Sequence, residues 1–287
     1  MSGNQSEDDR VIDEQDVQAL VDIIHQRSGH DFRHYAPGSR SRRLAALLSL
    51  EQLPDLAALR RRLDEDPTCL DRVLKSLSIP VTAMFRDPAV YRALRMQVLP
   101  HLATFPTIRV WLAGCATGEE VWSLAILLHE AGLLQRSRLY ATDMNAAAIA
   151  SAKSGIFPMV SMQDYTRNYQ LAGGEDFSRY YTAAYDAVKF DAALVRGVVF
   201  AQHNLAVDRS FNEFHLILCR NVMIYFDDEL RTRVHALLHE SLAHLGVLCL
   251  GTSETIHGTA YADRYEAVAS EYRIYRKCPA GTNRHSP

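Results

Sequence analysis

The chain of 287 residues has few cysteines, and their spacing indicates no functional role. Its five cysteines include no CxxC pair and suggest no disulfide framework. No apolar run approaches the ~18 residues of a membrane span, and the acidic N-terminus lacks the apolar core of a secretion signal. The formal net charge of −3 is unlike that of a basic nucleic-acid-binding domain. We therefore expect a cytoplasmic protein that binds no nucleic acid and does not insert directly into a membrane.

The first part of the chain has the apolar spacing of a small helical bundle. Between residues 15 and 77, leucine, valine and isoleucine recur at intervals of three and four, which predicts four short amphipathic helices. Residues 78–106 are expected to form a linker and a long helix that starts at Pro88. Residues 1–14 and 279–287 are expected to be disordered.

Residues 107–278 alternate strand and helix patterns, which predicts an α/β domain with a Rossmann-like sheet. A β-rich run at residues 108–113 leads into a glycine loop and a helix that stops at Gly132. Further strands are predicted at residues 138–142, 213–219 and 246–251, with an edge strand at 272–277. Alternating runs at residues 180–185 and 194–202 predict a small antiparallel β appendage, inserted at about residues 178–203.

The glycine loop (GCATGEE, residues 114–120) carries two carboxylates where a phosphate-binding loop would avoid them. A glycine turn between a strand and a helix start is a general cradle for nucleotide-type ligands. Glu119 and Glu120 would repel a pyrophosphate. S-adenosylmethionine has no phosphate and carries an ammonium group, so one of the two glutamates is expected to pair with it. The alternative is that both only favour the helix macrodipole.

Polar residues follow three further predicted strands. Asp143 is placed either to bind ribose hydroxyls or to cap the next helix. Asn204 is placed either to contact an adenine edge or to serve as a turn residue. Arg220, Asn221 and Tyr225 follow the strand at 213–219, where open sheets bind ligands, unless they only tie that loop to neighbouring backbone.

Three histidines lie in one helical run without a metal-binding order. His235 and His239 are spaced i, i+4, but the HExxH order is absent and neither His244 nor another residue is evident as a third ligand. We expect a solvated helix face and no metal.

Five sequence motifs follow one another along the chain: PVTAMFR (80–86), CATGEEVWS (115–123), ATDMN (141–145), AKSGIF (152–157) and CRNVMIYF (219–226). Together they resemble the chemotaxis-receptor glutamate methyltransferase family (CheR), and the resemblance extends from about residue 15 to residue 277. The last motif is highly specific. Pro80 stands where the family has an asparagine.

The resemblance implies a site for S-adenosylmethionine and its product S-adenosylhomocysteine. It places Arg86 and Tyr225 near the transferred methyl group, as catalytic residues. The implied cofactor-binding residues are Thr82, Arg86, Gly114, Glu119, Asp143, Asn204, Leu205, Arg220 and Asn221.

The resemblance also implies a partner, the cytoplasmic domain of a methyl-accepting chemoreceptor, whose glutamates would become methyl esters in sensory adaptation. The helical bundle would be the docking domain, with Arg40, Arg42 and Arg43 facing outward toward acidic receptor helices. The stretch YDAVKFD (residues 185–191) has no glycine, which disfavours binding of a receptor tether peptide. Two alternatives stay open: a catalytically silent signalling module, favoured by Pro80, and a methyltransferase with another acceptor.

Overall fold

The computed structural model describes residues 12–77 and 82–278. These residues form two compact units, one of residues 12–77 with 225–230 and the other of residues 82–224 with 231–278. Pro80 lies outside the described residues, as do residues 1–11 and 279–287, for which the sequence predicts disorder.

Four helices make up most of the first unit, as the apolar spacing predicts. Asp55 caps the third helix by accepting a hydrogen bond from the Ala58 N–H at 2.7 Å, and Gly29 ends the first in the left-handed conformation. The helices are α1 (Glu14–Ser28), α2 (Pro37–Leu50), α3 (Leu56–Glu65) and α4 (Cys69–Leu77).

The outward orientation expected for Arg40 and Arg43 is wrong, because both side chains are buried. Arg40 lies four residues before Leu44 and Arg43 four residues before Leu47, so both share the apolar face of α2. Arg40 donates to the Arg33 carbonyl at 2.8 Å and to the Glu14 carboxylate, which satisfies its charge. Arg42, on the other side of the helix, is exposed.

The long helix predicted from Pro88 is present but contains a wider turn. It consists of α5 (Pro88–Ala93), a π-helical turn (Leu94–Val98) and α6 (Leu99–Leu102). Pro100 has no N–H to donate to a carbonyl four residues back, and local widening of the helix accommodates that loss.

A seven-stranded sheet forms the centre of the second unit. Its order is β6-β2-β1-β7-β8-β10-β9; the first five strands are parallel, and β10 is antiparallel to both of its neighbours. The strands are β1 (Ile108–Ala113), β2 (Ser137–Asp143), β6 (Val198–Gln202), β7 (Phe214–Cys219), β8 (Leu242–Leu250), β9 (Tyr265–Ala269) and β10 (Ile274–Lys277). The α/β, Rossmann-like prediction is confirmed, but the final strand lies between β8 and β9 and is not at the edge.

A small antiparallel sheet is also present, with a different composition from the one predicted. It contains β3 (Ile156–Pro158), β4 (Tyr181–Ala184) and β5 (Ala187–Phe190), in the order β3-β5-β4. Assigning residues 194–202 to this appendage was wrong, since Val198–Gln202 pairs in parallel with β2. An alternating run fits either environment when one face of an edge strand is exposed.

The remaining helices are α7 (Glu119–Glu130), α8 (Ala146–Ser154), α9 (Met162–Leu171) and α10 (Asp228–Ser241). The solvated helix face expected for the three histidines is wrong: His244 is exposed but lies on β8, after α10 has ended. His235 is buried, and the ring of His239 packs against Tyr261 and Tyr265. Among the described helices, none combines the length and apolar character of a membrane span.

Candidate functional site

The predicted site residues of the second unit follow the carboxyl ends of neighbouring parallel strands. Gly114 follows β1, Asp143 ends β2, Asn204 comes shortly after β6, and Arg220 follows β7. Strand order reverses between β1 and β7, because β2 and β6 lie on one side of β1 and β7 and β8 on the other. Such a switch point is where open α/β sheets bind ligands.

Gly114 is required by close packing between two of these turns. Its φ is +78°, and a Cβ there would lie 2.5 Å from Cγ2 of Val222. The Gly114 N–H donates to the Thr142 carbonyl at 2.8 Å, which ties the glycine loop to the end of β2. A larger residue at 114 would therefore displace the turn that carries Asn221.

The two adjacent glutamates of the glycine loop have different surroundings. The Glu120 carboxylate accepts a hydrogen bond from Arg220 at 2.7 Å. The other terminal nitrogen of Arg220 donates to Asp87 at 2.9 Å and to the Arg86 carbonyl at 3.1 Å. Arg220 itself is buried, with 2% of its side chain exposed. Glu120 is thus occupied by an internal ion pair.

Glu119 is buried, with 6% of its surface exposed. The Thr117 hydroxyl donates to its carboxylate at 2.7 Å and the Tyr165 hydroxyl at 3.3 Å. Within residues 12–77 and 82–278, no lysine or arginine forms an ion pair with it. Burial raises the pKa of Glu119. A buried carboxylate with only neutral donors is suited to a cationic ligand.

Asp143 and Asn204 both stabilise the loops in which they lie. The two carboxylate oxygens of Asp143 accept hydrogen bonds from the N–H groups of Ala116 and Asn145, each at 2.9 Å. The Asn204 side-chain oxygen accepts from the Ala206 N–H at 2.9 Å, so Asn204 is a turn residue whatever else it does. Leu205, beside it, is buried.

Thr82 and Arg86 lie on the turn that precedes α5, and both are half-buried. Phe85 and Asp87 have φ angles of +52° and +59°, an uncommon conformation for non-glycine residues. Phe85 is fully buried, and its N–H donates to the Ser123 hydroxyl at 2.9 Å. Together with Arg220, these contacts fix the backbone at Arg86.

Tyr225 belongs to the first unit, whereas the other candidate catalytic and cofactor-binding residues belong to the second. Its position near the transferred methyl group therefore stays a prediction. Its carbonyl accepts a hydrogen bond from the Ala36 N–H at 2.8 Å. The guanidinium of Arg43 stacks over its ring, 4.2 Å from the centroid. Arg43 also donates to the Leu77 carbonyl, so its side chain has structural contacts within the helical unit.

Two acidic residues that organise this region, Asp87 and Glu254, could not be found from the sequence. Asp87 precedes the helix that starts at Pro88, and its ion pair with Arg220 gives no local signal. Glu254 lies in the segment GTSET and accepts hydrogen bonds from four backbone N–H groups. Neither role follows from residue spacing, because Arg220 and three of the four partners of Glu254 are more than 30 residues away in the chain.

The sheet order and the turns at its carboxyl edge are those of a Rossmann-like α/β domain with a ligand site at the switch point. Comparison with known families is more specific: residues 80–273 match the SAM-binding domain of CheR methyltransferases, and residues 15–78 match their all-alpha domain. The chain belongs to the CheR methyltransferase family, as the motifs predict.

Individual relatives are similar over most of the chain. Cher3 of Pseudomonas putida, which is named as a methyltransferase, is 46% identical over 91% of this chain and 96% of its own length. A chemotaxis protein methyltransferase of Listeria monocytogenes is 27% identical over 85% of this chain and 91% of its own. The solved structure of the N-methyltransferase NodS from Bradyrhizobium japonicum, in complex with S-adenosylhomocysteine, is 16% identical. It covers 59% of this chain and 63% of its own, with a TM-score of 0.34.

Replacing Arg220 with methionine should destabilise the second unit by about 3 kcal/mol or more, because Glu120 and Asp87 would lose their buried cation. Urea unfolding followed by circular dichroism measures this loss. The control is Arg276→Met, which removes a more exposed pair with Glu266 and should cost no more than about 1 kcal/mol. Equal losses in the two variants would contradict the role assigned to the buried pair.

Proposed function

We propose that this chain transfers the methyl group of S-adenosylmethionine to glutamate side chains on the cytoplasmic domain of a methyl-accepting chemoreceptor. The products are glutamyl methyl esters and S-adenosylhomocysteine. Membership of the CheR family supports the transfer, and relatives such as the Listeria chemotaxis protein methyltransferase support the receptor as acceptor. The observation that carries the proposal is Glu119, a buried carboxylate in the glycine loop with neutral hydrogen-bond donors only.

The residues at the carboxyl edge of the sheet fit this cofactor part by part. Glu119 would accept hydrogen bonds from the ammonium group. Asp143 would accept from the ribose hydroxyls, since its carboxylate lies at the carboxyl end of β2, beside the switch point of the sheet. Asn204 and Leu205 would border the adenine. We assign the rest of the same set to the pocket as well: Thr82, Arg86, Gly114, Arg220 and Asn221.

Arg220 would act in this pocket chiefly by holding other groups. Its two terminal nitrogens are engaged by Glu120, Asp87 and the Arg86 carbonyl, whereas its Nε is buried without a hydrogen-bond partner. It therefore keeps the start of α7 and the backbone of Arg86 in fixed positions.

The reaction is a displacement at carbon. An oxygen of the acceptor glutamate attacks the methyl group of the sulfonium, the carbon–sulfur bond breaks, and its electron pair stays on sulfur. The acceptor is already ionised near neutral pH, since a glutamate pKa is about 4.3, so no general base is needed. Catalysis then depends on holding the two reactants in line, which can contribute ~7 kcal/mol or more.

Two residues are proposed to act at the methyl group, and both assignments rest on the family motifs. Arg86 would orient the acceptor carboxylate through its guanidinium. Tyr225 would border the methyl group with its ring.

Incubating the protein with methyl-labelled S-adenosylmethionine and receptor cytoplasmic domains tests the function. We expect label on the receptor that alkali releases as methanol, because carboxyl methyl esters hydrolyse in base. Alkali-stable label would indicate another acceptor group, and absence of receptor-dependent label would contradict the proposal.

In the same assay Arg86→Ala should lower kcat by about tenfold or more, since it removes a charge-assisted contact with the acceptor. Its affinity for S-adenosylhomocysteine should change much less. The control is Arg138→Ala, an exposed arginine on β2, which should change neither quantity.

The exposed Arg42 is the remaining candidate for receptor docking through α2. Arg42→Glu should raise the KM for receptor by roughly threefold to fivefold, because each exposed charge pair contributes modestly. The effect should shrink as salt rises. Arg138→Glu provides the matched charge reversal, and equal KM values for the two variants would assign Arg42 to ordinary solvated surface.

A further inference from the structure

Glu254 lies just after β8 and binds backbone from two different turns. Only 5% of its surface is exposed. One carboxylate oxygen, Oε1, accepts hydrogen bonds from the N–H groups of Val222 at 2.9 Å and Met223 at 2.7 Å. The other, Oε2, accepts from Asn221 at 3.0 Å and from Gly251 at 2.6 Å. Four donors engage the two oxygens, so this side chain has little capacity left for a ligand.

Charge on Glu254 is balanced by these backbone dipoles. Among the described residues, no lysine or arginine forms an ion pair with it. Burial raises the pKa of Glu254, while the four N–H groups act in the opposite direction. Successive N–H groups that converge on one anion form a concave binding site for it, known as a nest. Here the anion is a side chain of the same protein.

The turn that Glu254 binds has an uncommon backbone conformation. Asn221 has a φ of +59°, in the left-handed region. Without the carboxylate, the N–H groups of Asn221, Val222 and Met223 would need other acceptors in a largely buried place. Glu254 therefore stabilises this conformation over extended alternatives.

The same turn packs tightly between the turns that follow β1 and β8. A Cβ on Gly114 would lie 2.5 Å from Val222, and one on Gly251 would lie 2.7 Å from the Asn221 nitrogen. Neither glycine leaves room for the turn to shift toward it. A displacement of Asn221 would thus be transmitted to the glycine loop.

We infer that Glu254 is a positioning residue for the cofactor pocket: its carboxylate holds Asn221 in place and Val222 against Gly114. It acts through the turn and makes no contact with the cofactor. This inference rests on the proposed function to the extent that Asn221 and Gly114 belong to a pocket for S-adenosylmethionine.

Glu254→Gln tests the inference, because the amide has nearly the same shape but its NH₂ group cannot accept hydrogen bonds. Hydrogen–deuterium exchange without ligand, measured on peptides covering residues 219–226, should become about tenfold faster. The Kd for S-adenosylhomocysteine, measured by calorimetry, should rise by about tenfold. Both readouts are independent of methyl transfer.

Two controls separate positioning from general loss of stability. Glu240→Gln makes the same chemical change on the exposed surface of α10 and should leave both quantities unchanged. Ile274→Val weakens the packing of β10, where Ile274 is fully buried, and should lower Tm without raising the Kd. If Glu254→Gln does not fold, Glu254→Asp replaces it. The shorter carboxylate reaches fewer of the four amides, so the exchange rate and the Kd should both rise, each by less than about tenfold.

Unchanged exchange in the variant that folds would overturn the inference, and so would faster exchange with unchanged affinity. Either result would leave the proposed function intact, provided that the unmodified protein binds S-adenosylhomocysteine. Failure of the unmodified protein to bind it would instead refute the pocket, and the role of Glu254 with it.

Discussion

The buried guanidinium of Arg220 is the interaction on which the candidate site depends. A buried cation is tolerated only when it is paired and hydrogen-bonded, and Arg220 meets this condition with Glu120, Asp87 and the Arg86 carbonyl. These contacts join the end of β7, the start of α7 and the turn before α5. Glu120 is paired with this cation, whereas the neighbouring Glu119 has only neutral hydrogen-bond donors.

The sequence alone does not distinguish the two adjacent glutamates, whereas the structure gives them different surroundings. At a helix start, both side chains are compatible with the macrodipole, and both would repel a phosphate. In the structure, one balances an internal cation, and the other is buried with the hydroxyls of Thr117 and Tyr165. This asymmetry supports the proposal that the cofactor ammonium binds at Glu119.

Most of the fold could be predicted because its main signals are local. The four helices and the central parallel strands are apolar runs with a clear period. Three-residue β3 and edge strand β9 were missed, since neither has enough buried positions to form a pattern. The five sequence motifs identified the candidate site residues. The burial of Arg40 and Arg43 in the helical unit and the role of Glu254 depend instead on partners distant in sequence. No residue pattern encodes such partners.

The most direct test of the account compares two ligands in Glu119→Gln and the unmodified protein by calorimetry. S-adenosylhomocysteine carries the ammonium group, whereas 5′-methylthioadenosine has the same adenosine and no ammonium. We expect the substitution to weaken S-adenosylhomocysteine binding by about tenfold, through loss of a charge-assisted contact, and to leave methylthioadenosine binding within about twofold. Equal weakening of both ligands, or of neither, would contradict the assignment of Glu119 to the ammonium group.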